Sequence, residues 1–332
     1  MKIVSWNLKN VGNNKLANTF NPAITVAGLG NNVGDYIMNV VMSRPVWNNI
    51  LSAALPDVFV IVELKSGGST KGVAANGTAI PTLATLVAGM NAVANAGLVP
   101  PNTNPNYQYA AVLPLVIGYH ETVGVIYNTR SLNYVNSGIL RDNVNNVNFL
   151  PRAPFWAEFT DGGGTTYDLV GLHAPPPGGA PPNFYKPGIQ YANVLTRSTQ
   201  LDLANQMMPE NTFVMGDFNC DPTYTYGNPA VGFAMAGYAT SLAAVTLSSM
   251  RAAVVNGNPQ PSNYLKDAYD NLMHAFPNGA PVGGVTERVP DLIGNARNVN
   301  VAPVQPMYPG NVVMLLNNYW VVSDHLPVIF EF

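Results

Sequence analysis

Short apolar runs recur along the chain, and most of them end where a polar side chain begins. A continuous apolar run of roughly four to eight residues is typical of a strand that is covered on both faces. Two of the runs flank a glycine triplet at 162–164, which predicts a hairpin. The predicted strands span residues 2–8, 58–62, 107–116, 121–127, 155–159, 167–172, 212–215, 268–273, 311–322 and 328–332.

Helical spacing of apolar residues falls between these strands. The helix predicted over 81–96 has Pro81 in its first turn and Gly97 just past its end, positions that suit these two residues. In 35–55, Pro45 forces a kink or a break, because proline lacks the backbone N–H that a helix interior uses. The other helical segments are 191–208 and 234–255, and the second of these is helical or irregular.

The composition supports one large domain. The chain has 332 residues, and no linker-like or repeated segment divides it, so we expect a single domain over 1–332. Its hydrophobic content of 47% is enough for a sizeable core. Charged residues make up only 10% of the chain, against about a quarter in average proteins. The surface must therefore be rich in uncharged polar residues, which suits an extracellular or exported protein.

The charge and the cysteine count limit the function classes. A net charge of −3 with 15 Lys and Arg argues against tight nonspecific binding of duplex nucleic acid, because that binding requires many neutralised phosphates. A few local phosphate contacts remain compatible with it. Cys220 is the only cysteine, which excludes an intrachain disulfide, and we expect it to be a small buried filler.

No targeting or membrane segment is visible in the sequence. Met1 is followed at once by the first predicted strand, without a basic or an apolar leader region. No apolar stretch reaches the roughly 20 residues that span a bilayer. A cytoplasmic protein, a mature form whose leader has been removed, and export by another route all fit.

The polar residues that follow the predicted strands have a shared chemical character. They are carboxylates, amides and imidazoles, which can act as oxygen ligands of a hard cation and as groups for proton transfer. If the strand ends meet at one edge of a sheet, this set predicts metal-assisted attack on a phosphate ester. The signatures are Ser5-Trp6-Asn7, Glu63, Tyr119-His120-Glu121, Gly171-Leu172-His173, Gly216-Asp217-Phe218-Asn219 and Ser323-Asp324-His325-Leu326-Pro327.

Single signatures also have simpler interpretations. Glu63 follows an apolar strand, where a carboxylate is costly to bury unless it is compensated, so it is functional, salt-bridged to Lys65 or at the exposed start of a loop. Asp217 and Asn219 occupy alternate positions and can form a site or an Asx-turn. His120 is expected to be exposed.

The order of these signatures resembles the endonuclease/exonuclease/phosphatase superfamily, most closely its deoxyribonuclease I-like branch. The resemblance runs from Lys2 to the last strand. It implies a four-layer α/β/β/α sandwich of two packed, mainly antiparallel sheets flanked by helices. It also implies that the single domain is a catalytic one.

The resemblance further implies roles for individual residues. Asn7, Glu63 and Asp324 are expected to bind Mg²⁺ or Mn²⁺, and a need for Ca²⁺ stays open. Asp270 is the expected partner of His325, with Asp291 as the fallback. The expected catalytic residues are His173, His325, Asp217, Asn219, Glu121 and Asp270, and the expected contacts to substrate phosphates are Lys9, Lys65, Tyr119 and Arg152.

These roles together predict a monomeric, metal-dependent phosphodiesterase that cuts DNA with little sequence specificity. A phospholipid or small phosphoester hydrolase is the alternative within the same fold, in which 113–117 and 314–322 would form an apolar lip at a membrane. A catalytically silent binding module is the third candidate. It is disfavoured because a scaffold needs none of the metal and proton-transfer positions.

Overall fold

The computed structural model describes most of the strands and the ends of the chain. The described residues are 1–20, 32–42, 54–66, 78–96, 109–113, 120–142, 147–148, 152, 154–176, 211–219, 238–239, 246–250, 264–290, 292 and 319–332.

Two large sheets form the centre of the molecule. The first sheet has six strands: β1 (Lys2–Val11), β2 (Val58–Lys65), β3 (Tyr109–Val112), β4 (Glu121–Asn128), β12 (Thr286–Arg288) and β13 (Val328–Glu331). Their order in the sheet is β12-β13-β1-β2-β4-β3, and the five strands of the second sheet follow the order β11-β10-β9-β8-β5. Those of the second are β5 (Leu132–Ile139), β8 (Phe155–Asp161), β9 (Thr166–His173), β10 (Asn211–Asp217) and β11 (Asp270–Ala275), while β6 (Arg141–Asp142) and β7 (Val147–Asn148) form a separate pair.

Each large sheet has one parallel pair near its middle. β1 pairs with β2 in parallel, and β9 pairs with β10 in parallel, while the other neighbours are antiparallel. The carboxyl ends of the two strands in a parallel pair lie at the same edge of their sheet. The predicted sandwich of two mainly antiparallel sheets is confirmed.

The two sheets pack face to face, and they approach closely at Gly171. A Cβ added at Gly171 in β9 would lie 2.5 Å from a methyl carbon of Val123 in β4 and 3.0 Å from one of Val60 in β2. Any larger side chain at this position would therefore push the sheets apart. Phe213 and Phe330 also meet across the sheets, with their ring centres 5.5 Å apart.

The helices of the described residues cover the outer face of the six-stranded sheet. α1 (Asn13–Leu16), α2 (Val33–Val41) and α3 (Ala79–Ala96) contact one another, and α3 contacts β3 and β4. Successive residues of a strand face opposite sides. Val123 faces the second sheet while Gly124 meets Leu83 of α3, so α3 lies on the opposite face. The helix predicted over 191–208 falls outside the described residues.

Most of the predicted strands are present, and the differences have identifiable causes. The strand predicted over 311–322 is wrong at its end, because 319–322 form a helical turn and the remainder lies outside the described residues. Short apolar runs are compatible with helix and strand alike. β5 was missed because it is a largely exposed edge strand without an apolar pattern. No described helix is long and apolar enough to cross a membrane.

Gly216 provides a test of the fold next to the end of β10. Its φ is +134°, and an added Cβ would lie 2.1 Å from the carbonyl oxygen of Leu172. We expect Gly216→Ala to lower the free energy of unfolding by roughly 2–4 kcal/mol, from backbone strain and the clash. Gly162→Ala is the matched control, since its Cβ would meet nothing within 4 Å. Equal unfolding free energies of the two variants in urea would contradict this account.

Candidate active site

The polar strand ends of both sheets converge at one edge of the sandwich. Asn7 lies on β1 and Glu63 on β2, the parallel pair of the first sheet. His173 and Asp217 are the last residues of β9 and β10, the parallel pair of the second sheet. Because the sheets pack face to face, the carboxyl ends of these four strands form a common rim.

Two bulges turn the first pair of strands toward this rim. The register between β1 and β2 shifts after Asn7, and the register between β2 and β4 shifts between Ile61 and Leu64. Three residues in the bulged segments have positive φ: Lys9 (46°), Asn10 (55°) and Glu63 (57°). Non-glycine residues in this conformation carry strain of about 1–3 kcal/mol, and such strain clusters at functional sites. Bulges next to active sites re-aim side chains in this way.

Asp217 lies at the centre of the site, between two histidines. Its Oδ2 atom is 3.5 Å from Nε2 of His173 and 3.7 Å from Nε2 of His325. The side chain is only 2% exposed. Burial raises the pKa of Asp217, while the charges of His325 and His173 act to lower it. Both imidazoles thus present the same nitrogen to one buried carboxylate.

A carboxylate and an arginine fix the orientation of His173. Its Nδ1 atom lies 2.8 Å from Oε1 of Glu121, and Nε of Arg152 lies 2.6 Å from the same oxygen. Burial alone would lower the pKa of His173, but the bond to Glu121 and the charge of Asp217 outweigh it, and the pKa is raised. Burial would raise the pKa of Glu121, but His173 and Arg152 hold it below its usual value. The contact leaves Nε2 of His173 directed at Asp217.

His325 has a matching arrangement on the other side. Its Nδ1 atom lies 2.6 Å from Oδ2 of Asp270, the first residue of β11. The backbone N–H of Asp270 donates to Oγ of Ser248, and this bond fixes the start of β11. Burial would lower the pKa of His325, but the charges of Asp270 and Asp217 raise it well above its usual value. Asp291, the fallback partner, lies outside the described residues.

The residues that hold the loop around His325 had no predicted role. The indole N–H of Trp6 and the hydroxyl of Tyr319 both donate to the carbonyl of His325, at 2.9 and 2.7 Å. Ser323 accepts from the N–H of His325 and donates to the carbonyl of Asn7, which ties this loop to β1. Buried indole and phenol groups need partners, so Trp6 beside Asn7 was the one signal available in the sequence.

Asn7 joins the two acidic groups at the centre. Its Nδ2 atom donates to Oε1 of Glu63 and to Oδ2 of Asp217, each at 3.1 Å, and its Oδ1 accepts from the N–H of Lys9. Glu63 also accepts from the N–H of Asn10. Two carboxylates held together by one neutral amide form an electronegative site that a cation would stabilise.

The donor atoms fit a hard divalent cation. Glu63, Asp217 and Asn7 offer oxygen ligands, the preferred ligands of Mg²⁺ and Mn²⁺. Oδ1 of Asp324 is buried and has no hydrogen-bond partner among the described residues. A buried carboxylate oxygen is costly to leave unmatched, and a bound cation would satisfy it.

The ligand group that stands out by distance differs from the predicted one. Among the described residues, Glu63, Glu121 and His173 each offer a ligand atom within 4.8 Å of the others. Predicted were Asn7, Glu63 and Asp324. Because Oε1 of Glu121 is already bonded to His173 and Arg152, Glu63 is the member of this group best able to bind an ion.

Asn219 forms the turn that the sequence left as an alternative. Its backbone N–H donates to Oδ1 of Asp217 at 2.8 Å, which closes an Asx-turn, and its φ is +50°. Its Nδ2 donates to the carbonyl of Ala174. The side chain is therefore held beside Asp217, and its catalytic role stays a prediction.

The predicted phosphate contacts lie in different environments. Nζ of Lys9 is 3.8 Å from Oδ2 of Asp324, so this cation lies at the site. Lys65 is exposed at the end of β2. Arg152 is bound to Glu121 and to the carbonyl of Ala174, which makes it a poor free phosphate clamp. Tyr119 lies outside the described residues. His120 is exposed, as expected.

Comparison with known proteins gives matches in structure. No protein-family model and no curated sequence matches the chain. D. rerio TDP2, humanized by 14 mutations, is 14% identical, with a TM-score of 0.51 over 100% of this chain and 99% of that chain. Truncated Caenorhabditis elegans TDP2 is 11% identical, with a TM-score of 0.50 over 99% of this chain and 96% of that one. SmcL is 11% identical, with a TM-score of 0.52 over 99% and 98%.

These matches show that the chain shares the fold of TDP2 and SmcL, an α/β/β/α sandwich. At these identities the likeness shows the fold alone. Within it, this chain holds a buried cluster of acidic and histidine side chains at the rim described above.

Proposed function

We propose that this protein is a divalent-metal-dependent phosphodiesterase of the deoxyribonuclease I-like branch, which cuts DNA internally with little sequence preference. One observation supports this above all others. Two histidines, each backed by a carboxylate on Nδ1, direct Nε2 at the same buried Asp217. A scaffold that only binds a partner would gain nothing from this arrangement.

The metal would be bound by Asn7, Glu63 and Asp324. When bound, it neutralises charge on the scissile phosphate. Asn7 would offer Oδ1 as its ligand atom, because its Nδ2 donates to Glu63 and Asp217. The set contains oxygen donors only, which favours Mg²⁺ or Mn²⁺ over zinc.

The histidines and Asp217 would move the protons of the reaction. A water attacks phosphorus and loses a proton to one base, and the P–O bond to the leaving oxygen breaks as that oxygen gains a proton. Glu121 and Asp270 keep the Nε2 atoms of His173 and His325 directed at Asp217, beside which the scissile phosphate would bind. Asn219, held beside Asp217, would hydrogen-bond a phosphate oxygen. Which histidine is the acid and which is the base stays open.

The nuclease is favoured over the phospholipase by the residues around the rim. A lip that enters a membrane needs exposed apolar side chains. Of the predicted lip, 114–117 and 314–318 lie outside the described residues. In the described part 319–322, Tyr319 is buried in the core, Trp320 is half-buried and Val321 is 37% exposed. Lys9 and Lys65 at the rim suit a backbone of phosphates.

The decisive experiment compares substrates side by side. We compare plasmid DNA, single-stranded DNA, RNA and sphingomyelin under matched conditions, and expect Mg²⁺-dependent turnover of DNA to exceed that of RNA and sphingomyelin. Cleavage-site sequencing should show little base preference, because phosphate contacts carry no sequence information. Turnover of sphingomyelin without cleavage of DNA would replace the nuclease by the lipid hydrolase.

Lys65 tests the DNA contact without disturbing the histidines. Arg152 is already neutralised by Glu121, so we expect two to three phosphate contacts, and log(1/KM) should fall with log[salt] with a slope on the order of −2 to −3. Lys65→Ala should reduce this slope by about 0.9 and spare a small phosphodiester. Arg130→Ala is the matched control, because Arg130 is exposed after the opposite end of β4. An unchanged slope in Lys65→Ala would remove Lys65 from the DNA-binding surface.

A further inference from the structure

Trp320 is a rim residue that the proposed chemistry does not use. It lies in the helical turn 319–322, just before Asp324, and is packed against the hydrophobic core. The Nζ atom of Lys9 lies over its ring, 3.0 Å from the ring centre. The same Nζ is 3.8 Å from Oδ2 of Asp324. Trp320 and Asp324 thus hold one ammonium group from two sides.

An ammonium over an indole face is held by the ring's negative quadrupole. The strength of this attraction rises as water is removed from the contact. Lys9 is half-buried, with 28% of its side chain exposed. The contact with Trp320 lies in the partly dehydrated setting where a cation–π interaction counts most.

The backbone of Lys9 is fixed as firmly as its side chain. Its N–H donates to Oδ1 of Asn7 at 3.0 Å, and its φ is +46°. Its carbonyl accepts from Nζ of Lys15 at 2.7 Å, and the carbonyl of Leu8 accepts from the same Nζ at 2.7 Å. Lys15 thereby bridges two successive carbonyl groups in the bulge of β1. A lysine with both ends fixed has little conformational entropy left to lose on binding.

We infer that Trp320 is a positioning residue, which holds the Lys9 ammonium in place for a non-bridging oxygen of the substrate phosphate. The inference rests on the proposed phosphodiesterase function. Lys9 occupies one face of the Trp320 ring, so that face is not available for stacking on a base. Its contribution is to binding, through Lys9, and not to proton transfer.

Kinetics of single and double variants test this role. We expect Trp320→Ala to raise KM for plasmid DNA about fivefold, from the loss of an interaction of this type, with kcat within about twofold. Trp320→Phe should restore most of the loss, because phenylalanine keeps an aromatic face. In a Lys9→Ala background, Trp320→Ala should have no further effect on KM. An equal effect in both backgrounds would overturn the inference, as would a fall in kcat alone.

A second measurement does not depend on turnover. Reductive ¹³C-methylation of the lysines gives an NMR signal for Lys9, assigned with Lys9→Ala. The ring current of the indole should shift this signal in the wild type. The phenyl ring of Trp320→Phe should shift it less, and Trp320→Ala should abolish the shift. Inorganic phosphate should then perturb the Lys9 signal at lower concentration in the wild type than in Trp320→Ala.

The two measurements separate the two claims. If the wild type hydrolyses no phosphodiester while phosphate still perturbs Lys9 in a Trp320-dependent way, the proposed function fails and the positioning role stands. If turnover is metal-dependent but phosphate perturbs Lys9 equally in the wild type and in Trp320→Ala, the positioning role fails alone.

Discussion

We expect His173→Ala and His325→Ala each to lower kcat for DNA cleavage by at least ~100-fold, the usual range for the loss of a positioned acid or base. Both Nε2 atoms face Asp217, and both imidazoles are held by a carboxylate on Nδ1. A loss of either leaves one proton transfer without its group. The measurement is steady-state cleavage of supercoiled plasmid with Mg²⁺ in excess. Comparable unfolding temperatures would show that the loss is chemical.

The other two described histidines serve as controls of different kinds. His120 is exposed, so His120→Ala should leave kcat and stability nearly unchanged. His274 is buried against Phe276 and Phe330, with ring centres 5.4 and 5.0 Å away. His274→Ala should therefore lower the unfolding temperature while the folded fraction keeps its activity. A loss in His120→Ala as large as that in His173→Ala would mean that the site lies elsewhere.

Removal of divalent cations should abolish turnover, and Mg²⁺ or Mn²⁺ should restore it. Glu63 is the carboxylate best able to bind the ion. We expect Glu63→Gln to lower kcat/KM at least ~100-fold, because the ion would neutralise charge in the transition state. Excess Mg²⁺ should recover part of that loss if binding is what was weakened. The measurement is activity after dialysis against chelator, followed by metal titration.

Glu331→Gln is the matched control for this substitution. Glu331 pairs with Lys2 in register at the start of β1, at the edge opposite the site, and it binds Arg288. It should change stability modestly and leave metal dependence intact. Full activity of the wild type in excess chelator would end the metal hypothesis.

The strands were predictable because a strand that is buried on both faces requires a continuous run of apolar residues. The run 58–62 is apolar throughout, and β2 is covered on both faces over that run. The polar residue that ends such a run marks the rim, so Glu63 and His173 could be named in advance. By contrast, 319–322 is equally apolar as a strand or a helical turn, and only its packing decides between them.

The sequence by itself determined the types of residue at the rim and the places of most of the strands that the structure describes. The tertiary structure decided the pairings, since they join residues far apart in the chain: Asp270 with His325, Arg152 with Glu121, and Trp320 with Lys9. It also decided the bulges at Lys9 and Glu63, because a register shift depends on the neighbouring strand. The physical reason is that burial favours a residue type locally, whereas orientation and charge depend on groups that only folding brings within reach.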